Sequence, residues 1–127
     1  MKRFKLIYLI DDDEIFVFVM QKLMQKSGRF EQVLNIANGL DAIDVLVDRY
    51  SREGSLPDLI FLDLNMPVLD GWQFLDEVER LPFKDRLRIY IISSSIDARE
   101  MAKAKEYSTV KRFVSKPVTL DWLNKID

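Results

Sequence analysis

Apolar residues along this chain fall into short continuous runs that alternate with longer stretches where they recur at helical spacing. Residues 4–10 (Phe-Lys-Leu-Ile-Tyr-Leu-Ile) form the first run, the pattern of a strand buried on both faces. Residues 14–26 predict a helix that stops at Gly28. Its six consecutive apolar side chains, from Ile15 to Met20, predict cover on more than one side, with Phe16, Phe18 and Met20 assigned to packing. Residues 32–37 predict a second strand, and Asn38-Gly39 a turn into a helix reaching Tyr50. Leu40, Ile43, Val47 and Tyr50 keep one face of that helix apolar, and the segment from Ser51 to Ser55 reads as a polar loop.

The second half repeats the alternation. Residues 58–63 predict a third buried strand that ends in a carboxylate. Met66 to Gly71 is rich in turn residues, and a helix over 72–80 follows, terminated near Pro82. Residues 88–92 predict a fourth strand running into Ser93-Ser94-Ser95, and Asp97 the N-cap of a helix reaching Tyr107. A short strand over 111–114 and a helix over 119–126 complete the pattern. Five strands alternating with five helices predict one α/β domain, residues 1–127, with a parallel sheet covered on both faces.

Composition then removes several kinds of chemistry. With 48% hydrophobic and 31% charged residues, the chain has both a core and an ordinary charged surface. Nineteen basic residues against 21 acidic ones give a net charge of −2, which lacks the basic excess expected of a nucleic-acid or anionic-membrane binder. No apolar run is long enough to span a bilayer, and the N-terminus has no signal-peptide pattern, so a cytoplasmic protein is expected. There are no cysteines and no histidines. Thiol catalysis, disulfides and the commonest general base and metal ligand are therefore absent. Carboxylates, hydroxyls and ammonium groups remain, and with them oxygen-loving cations such as Mg²⁺.

In an open parallel sheet the ligand crevice lies beyond the carboxyl ends of the strands. Asp11-Asp12-Asp13-Glu14 follow the first strand, Asp63 and then Asn65 the third, three serines the fourth, and Lys116 the fifth. Several carboxylates gathered at one place repel one another unless a cation sits among them. An ammonium and a hydroxyl beside them suit a phosphoryl group. Each piece also has a plainer reading: acids at a helix start, turn residues, a serine cap, a solvated lysine, and Phe113 and Trp72 as core. Their joint position at one end of one sheet favours a phosphate-plus-magnesium site.

The segments Leu9-Ile10-Asp11-Asp12-Asp13, the stretch from Asp58 to Gly71 with its Asp63, Met66-Pro67 and Asp70-Gly71, Ile91-Ile92-Ser93-Ser94-Ser95, and Phe113-Val114-Ser115-Lys116-Pro117 together resemble the receiver domain of bacterial two-component response regulators, in the single-domain form of chemotaxis regulators. The resemblance covers essentially the whole chain. It implies a flavodoxin-like (βα)5 doubly wound parallel sheet of strand order 2-1-3-4-5, with no output domain within these residues. It implies Asp63 as phosphoacceptor and Mg²⁺ as cofactor, held by Asp12, Asp63 and the backbone carbonyl of Asn65, with Asp11 acting through water. It further assigns Ser93 and Lys116 to the phosphoryl oxygens and Phe113 to a switch. A ring at 113 keeps the rotation but lacks the hydroxyl of the commoner Tyr. Asn65 and Ser95 fall where phosphoryl lifetime is tuned, and the Lys116-Pro117 bond is expected to be cis.

By the same resemblance the donor is a sensor histidine kinase, a phosphotransfer protein or a small acyl phosphate. Asp63, taken with an ordinary pKa of ~3.9, attacks phosphorus without a general base. The switched surface is the fourth helix, fifth strand and fifth helix, which leaves a homodimer through that face open; nucleic acid and membrane are not expected as partners. A receiver-like module that binds a partner without phosphorylation is the alternative, and the complete acid, hydroxyl and lysine set argues against it. A Mg²⁺-dependent phosphatase is disfavoured because Asn65 stands where such enzymes carry an acid two residues after the nucleophile.

Overall fold

The computed structural model describes residues 2–127. Its elements run β1 (Phe4–Ile10), α1 (Glu14–Ser27), β2 (Phe30–Ile36), α2 (Gly39–Glu53), β3 (Leu59–Leu62), α3 (Gly71–Val78), β4 (Ile89–Ser93), α4 (Ala98–Ala104), β5 (Val110–Ser115) and α5 (Leu120–Lys125), with a single 3-10 turn at Lys84–Arg86 before β4. All strand pairs are parallel and their order is β2-β1-β3-β4-β5, as expected. From β1 the chain moves outward to β2, then crosses to β3 on the other side of β1. The reversal between β1 and β3 is where such sheets open a crevice.

Alternation along the central strands divides the core. Leu6, Tyr8, Ile10, Ile60, Leu62, Ile89 and Ile91 face α2, α3 and α4, packing on Ala42, Leu46, Phe74, Leu75, Val78 and Ala104. Ile7, Leu9, Leu59, Phe61, Tyr90 and Ile92 face α1 and α5 and meet Val17, Met20, Met24 and Leu123. Because β1, β3 and β4 are covered on both sides, their sequences are continuous apolar runs. The edge strands β2 and β5 are only partly buried.

Side-chain and glycine caps set the helix ends. Asp13 caps α1, Asn38 caps α2, Asp97 caps α4 and Thr119 caps α5, each accepting backbone N–H groups of the first turn. Asp70 and Gln73 form a reciprocal capping box on α3. Gly28 and Gly54 end α1 and α2 with φ of 74° and 65°.

Three expectations are corrected. Ser51 to Glu53 belong to α2 and not to a loop, because Arg52–Asp48 and Arg49–Glu53 ion pairs extend the helix until Gly54 stops it. β2 starts at Phe30 because its pairing begins at Phe4↔Phe30. Most consequential, α1 is covered on one side only: Val17, Met20 and Met24 are buried, whereas Ile15, Phe18 and Val19 are exposed, Ile15 by 80%. A run of six apolar residues covers every face of a helix, and only the positions spaced by 3.6 meet the sheet. Phe18 therefore does not pack in the core; its ring lies under the ammonium of Lys22.

Candidate functional site

Extension of the β1 and β3 ladders beyond their last residues builds the site. The backbone N–H of Asp11 donates to the Ile36 carbonyl and that of Asp63 to the Ile10 carbonyl, at 3.0 and 2.9 Å. Both acids are thereby held at strand ends on either side of the β1/β3 reversal, and both are buried. Asp12 follows Asp11 with its side chain exposed, and ligand oxygens of Asp11, Asp12 and Asp63 all lie within 4.8 Å of one another.

Lys116 enters from β5. Its backbone N–H donates to the carbonyl of Ser93 at 2.8 Å, which closes β5 onto β4 just past the register pair Ser93↔Ser115. Its ammonium donates to Asp11 Oδ2 at 3.1 Å and lies 3.7 Å from Asp63 Oδ1. The Lys116-Pro117 peptide bond is cis. The other oxygen of Asp11 accepts the N–H of Asp13 at 2.9 Å.

One ammonium does not compensate three carboxylates. Burial, and then the charge of Asp11, push the Asp63 carboxyl up to about 6, against the opposing pull of Lys116 and of the Asn65 and Leu64 N–H groups. Burial likewise raises Asp11, against its bonds to Asp13 and Lys116. The ordinary carboxylate expected for Asp63 is thus corrected upward, although it stays largely ionised at neutral pH. A hard divalent cation fits this donor set: three carboxylates whose ligand oxygens lie within 4.8 Å of one another, two of them destabilised by burial, in a chain with neither cysteine nor histidine.

Residues 7–126 match the family model for the response regulator receiver domain. The chain belongs to this family.

This receiver is 32% identical over 113 residues to the chemotaxis protein CheY of Listeria monocytogenes, an alignment covering 89% of this chain and 87% of that protein. It superimposes with a TM-score of 0.89 on a two component response regulator from Cytophaga hutchinsonii, at 34% identity over 97% of this chain and 93% of the other. A Mn²⁺-bound form of response regulator Rcp1, a Synechocystis protein, is similar at 27% identity and a TM-score of 0.77, over 95% and 87% of the two chains. Receiver domains are signalling modules of two-component systems; they typically bind Mg²⁺ at an acidic pocket and interact with histidine kinases or phosphotransfer proteins. No helix among the described residues of this receiver is long and apolar enough to cross a membrane.

The remaining expected positions surround the acidic cluster. Ser93 is fully buried at the end of β4, its hydroxyl accepting the N–H of Ser95 at 3.1 Å, and the Ser95 hydroxyl accepts the N–H of Asp97. Asn65 is exposed in the bend after β3. Phe113 is half-buried on β5, beside a cavity of about 340 Å³ between α4 and β5 that Met101, Ala104 and Val110 also line. Two contributors were not legible in the sequence. Gly71 lies against the site's backbone: a Cβ there would sit 2.5 Å from the Asp63 carbonyl oxygen and 2.7 Å from Leu64 Cα. Phe16, assigned to packing alone, places its ring 4.1 Å from the Lys116 ammonium. Of the four leading acids, Asp13 serves as the α1 cap and Glu14 lies in its first turn, so the plainer reading of that run holds for two of its members.

Proposed function

We propose that this receiver is a phosphorylation-switched module that accepts a phosphoryl group on Asp63 with Mg²⁺ and thereby changes its α4–β5–α5 surface. The observation that carries this reading is the convergence of Asp11, Asp12 and Asp63, with ligand oxygens within 4.8 Å of one another, and Lys116 reaching into it. An Oδ atom of Asp63 attacks phosphorus as the P–N bond of a donor phosphohistidine, or the P–O bond of an acyl phosphate, breaks and the donor leaves. Asp12, Asp63 and the Asn65 carbonyl would hold Mg²⁺, with Asp11 acting through water, and the ion would supply positive charge to the phosphoryl oxygens. Lys116 pairs with a phosphoryl oxygen, and the Ser93 hydroxyl, whose lone pair already accepts Ser95 N–H, turns its proton toward another.

The new charge acts on the neighbouring elements. Ser93 and Lys116 are joined through their backbones, so drawing both toward Asp63 shifts the ends of β4 and β5 together. Phe113 rotates inward as Ser93 moves, and the cavity beside it allows α4 to follow. Asn65 and Ser95 leave room for water and so set the lifetime of the phosphoaspartate. Exposed Ile15, Phe18 and Val19 beside the acids offer an apolar surface to a protein donor, a histidine kinase or phosphotransfer protein. A homodimer through α4–β5–α5 is a further consequence of this reading, as is a cytoplasmic location.

Intact mass after incubation with acetyl phosphate tests the proposal. One phosphoryl adduct is expected that requires both Mg²⁺ and Asp63 and is absent in Asp63→Ala. Mg²⁺ binding without an adduct from any acyl phosphate or phosphohistidine donor would favour a phosphorylation-independent binding module instead.

A further inference from the structure

The ammonium of Lys116 has three close neighbours: Asp11 Oδ2 at 3.1 Å, Asp63 Oδ1 at 3.7 Å, and the face of Phe16, whose centroid lies at 4.1 Å. On the reading above, the first two change during the reaction. Asp11 would help to hold the metal, and Asp63 would become an acyl phosphate. The aromatic ring changes in neither step.

The backbone that carries the ring is tied to the same residues. Asp13 Oδ1 accepts the N–H of Phe16 itself at 3.1 Å, while the N–H of Asp13 donates to Asp11 Oδ1 at 2.9 Å, and Asp11 Oδ2 accepts Lys116. Asp11, Asp13, Phe16 and Lys116 therefore form a closed circuit of four contacts that joins the start of α1 to the end of β5. An aromatic face attracts an ammonium through its quadrupole and shields one side of it from water without demanding a hydrogen bond in return. A lysine on a flexible four-carbon stem gains most from such a wall, since it otherwise samples many rotamers.

We propose that Phe16 is a positioning residue for phosphoryl transfer: its ring holds the Lys116 ammonium at the mouth of the site while the carboxylate partners change, so that the lysine meets the phosphoryl oxygens already oriented. This role rests on the phosphoryl-accepting reading of Asp63. It distinguishes Phe16 from its neighbours Val17 and Met20, which pack only in the core.

Two measurements on the full chain test it. The first is the NMR shift of the Lys116 ε-methylene protons without any ligand, assigned with Lys116→Met. Ring current should move them upfield in the wild type and in Phe16→Tyr, and the displacement should vanish in Phe16→Leu. The second is affinity for beryllofluoride, a phosphoryl mimic, at saturating Mg²⁺. Phe16→Leu keeps the apolar bulk and should weaken binding roughly threefold to thirtyfold, Phe16→Tyr should restore it, and in a Lys116→Met background Phe16→Leu should have no further effect. Absence of the upfield shift in the wild type, or a loss in Phe16→Leu that persists without Lys116, would overturn the assignment. A wild type that shows the shift yet binds no beryllofluoride and takes no phosphoryl group would overturn the parent reading of the site, and with it this role, by a separate signal.

Discussion

Lys116 is hydrogen-bonded to Asp11 at 3.1 Å and stands 3.7 Å from Asp63, so its ammonium favours Asp11 over Asp63, the carboxylate proposed as the acceptor. Asp63 is left with burial and the charge of Asp11 acting against its ionised form, and this determines how stability depends on pH.

Replacing Asp63 by Asn should stabilise the metal-free protein. The folded-state pKa of Asp63 is raised from 3.8 to about 6, so between those values the folded chain holds a proton that the unfolded chain releases. Stability therefore falls as pH rises through this window and remains lower above it. That rise corresponds to roughly 3 kcal/mol. Urea unfolding should show Asp63→Asn more stable by ~1–3 kcal/mol at pH 8, with the gap mostly closed at pH 4.5. Saturating Mg²⁺ should reverse the ranking at pH 8.

Removing the lysine should do the opposite. Lys116→Met leaves two buried carboxylates without their cation, a change that costs about 3–5 kcal/mol when a buried pair is broken. The loss should be larger at pH 8 than at pH 5, where protonation of Asp63 relieves the repulsion. A loss equal at both pH values would show that Lys116 contributes through packing and not through charge.

Gly71→Ala should damage the site as well as the fold. The added methyl would meet the Asp63 carbonyl oxygen at 2.5 Å and Leu64 Cα at 2.7 Å, both backbone atoms that cannot turn aside. Overpacking of this kind costs ~1–3 kcal/mol, and here its relief shifts the start of α3 against the backbone that carries Asp63. Gly28→Ala is the control: its φ of 74° makes the methyl unfavourable, but nothing lies within 4 Å and the site is remote. Calorimetric Mg²⁺ titration should show weakened affinity in Gly71→Ala and wild-type affinity in Gly28→Ala, although both lower the unfolding temperature.

Arg29→Met should loosen the last helix. The buried guanidinium donates to the carbonyls of Lys2, Leu123 and Ile126, at 2.8, 2.8 and 2.6 Å, and lies over the Phe4 ring. Leaving those carbonyls without a charged donor should cost about 3–5 kcal/mol. Hydrogen exchange should accelerate most in α5, with β1 and β3 slower to respond.

What could be read in the sequence was whatever depends on local order. β1, β3 and β4 were legible because two-sided burial makes them continuous apolar runs, and Asp11, Asp12, Asp63 and Ser93 because they stand at the ends of those runs, whereas half-exposed β5 gives no such signal and the Lys116-Pro117 pair marks its end instead. Legibility failed where the answer lies in three dimensions. The run Ile15 to Met20 contains no periodicity to say which face meets the sheet, so it gives Phe18 the look of a core residue and carries no sign that Phe16 meets a lysine one hundred positions away. Nothing around Gly71 signals that it touches the backbone of Asp63, and Arg29 looks like a surface charge until three carbonyls converge on it. The elevated pKa of Asp63 follows from burial beside Asp11, which no spacing expresses.

The Arg29 clasp also has a practical meaning. By joining Lys2 to Leu123 and Ile126 it collects the first and last described residues at the pole of the sheet opposite the acids, where Arg88 reaches the Asp127 carbonyl as well. A tag, surface tether or fused fluorescent protein attached at either end would hang from that pole and leave the mouth around Asp63 facing free solution. Immobilised binding measurements with a phosphodonor can thus use either terminus as the anchor without the attachment shadowing the chemistry.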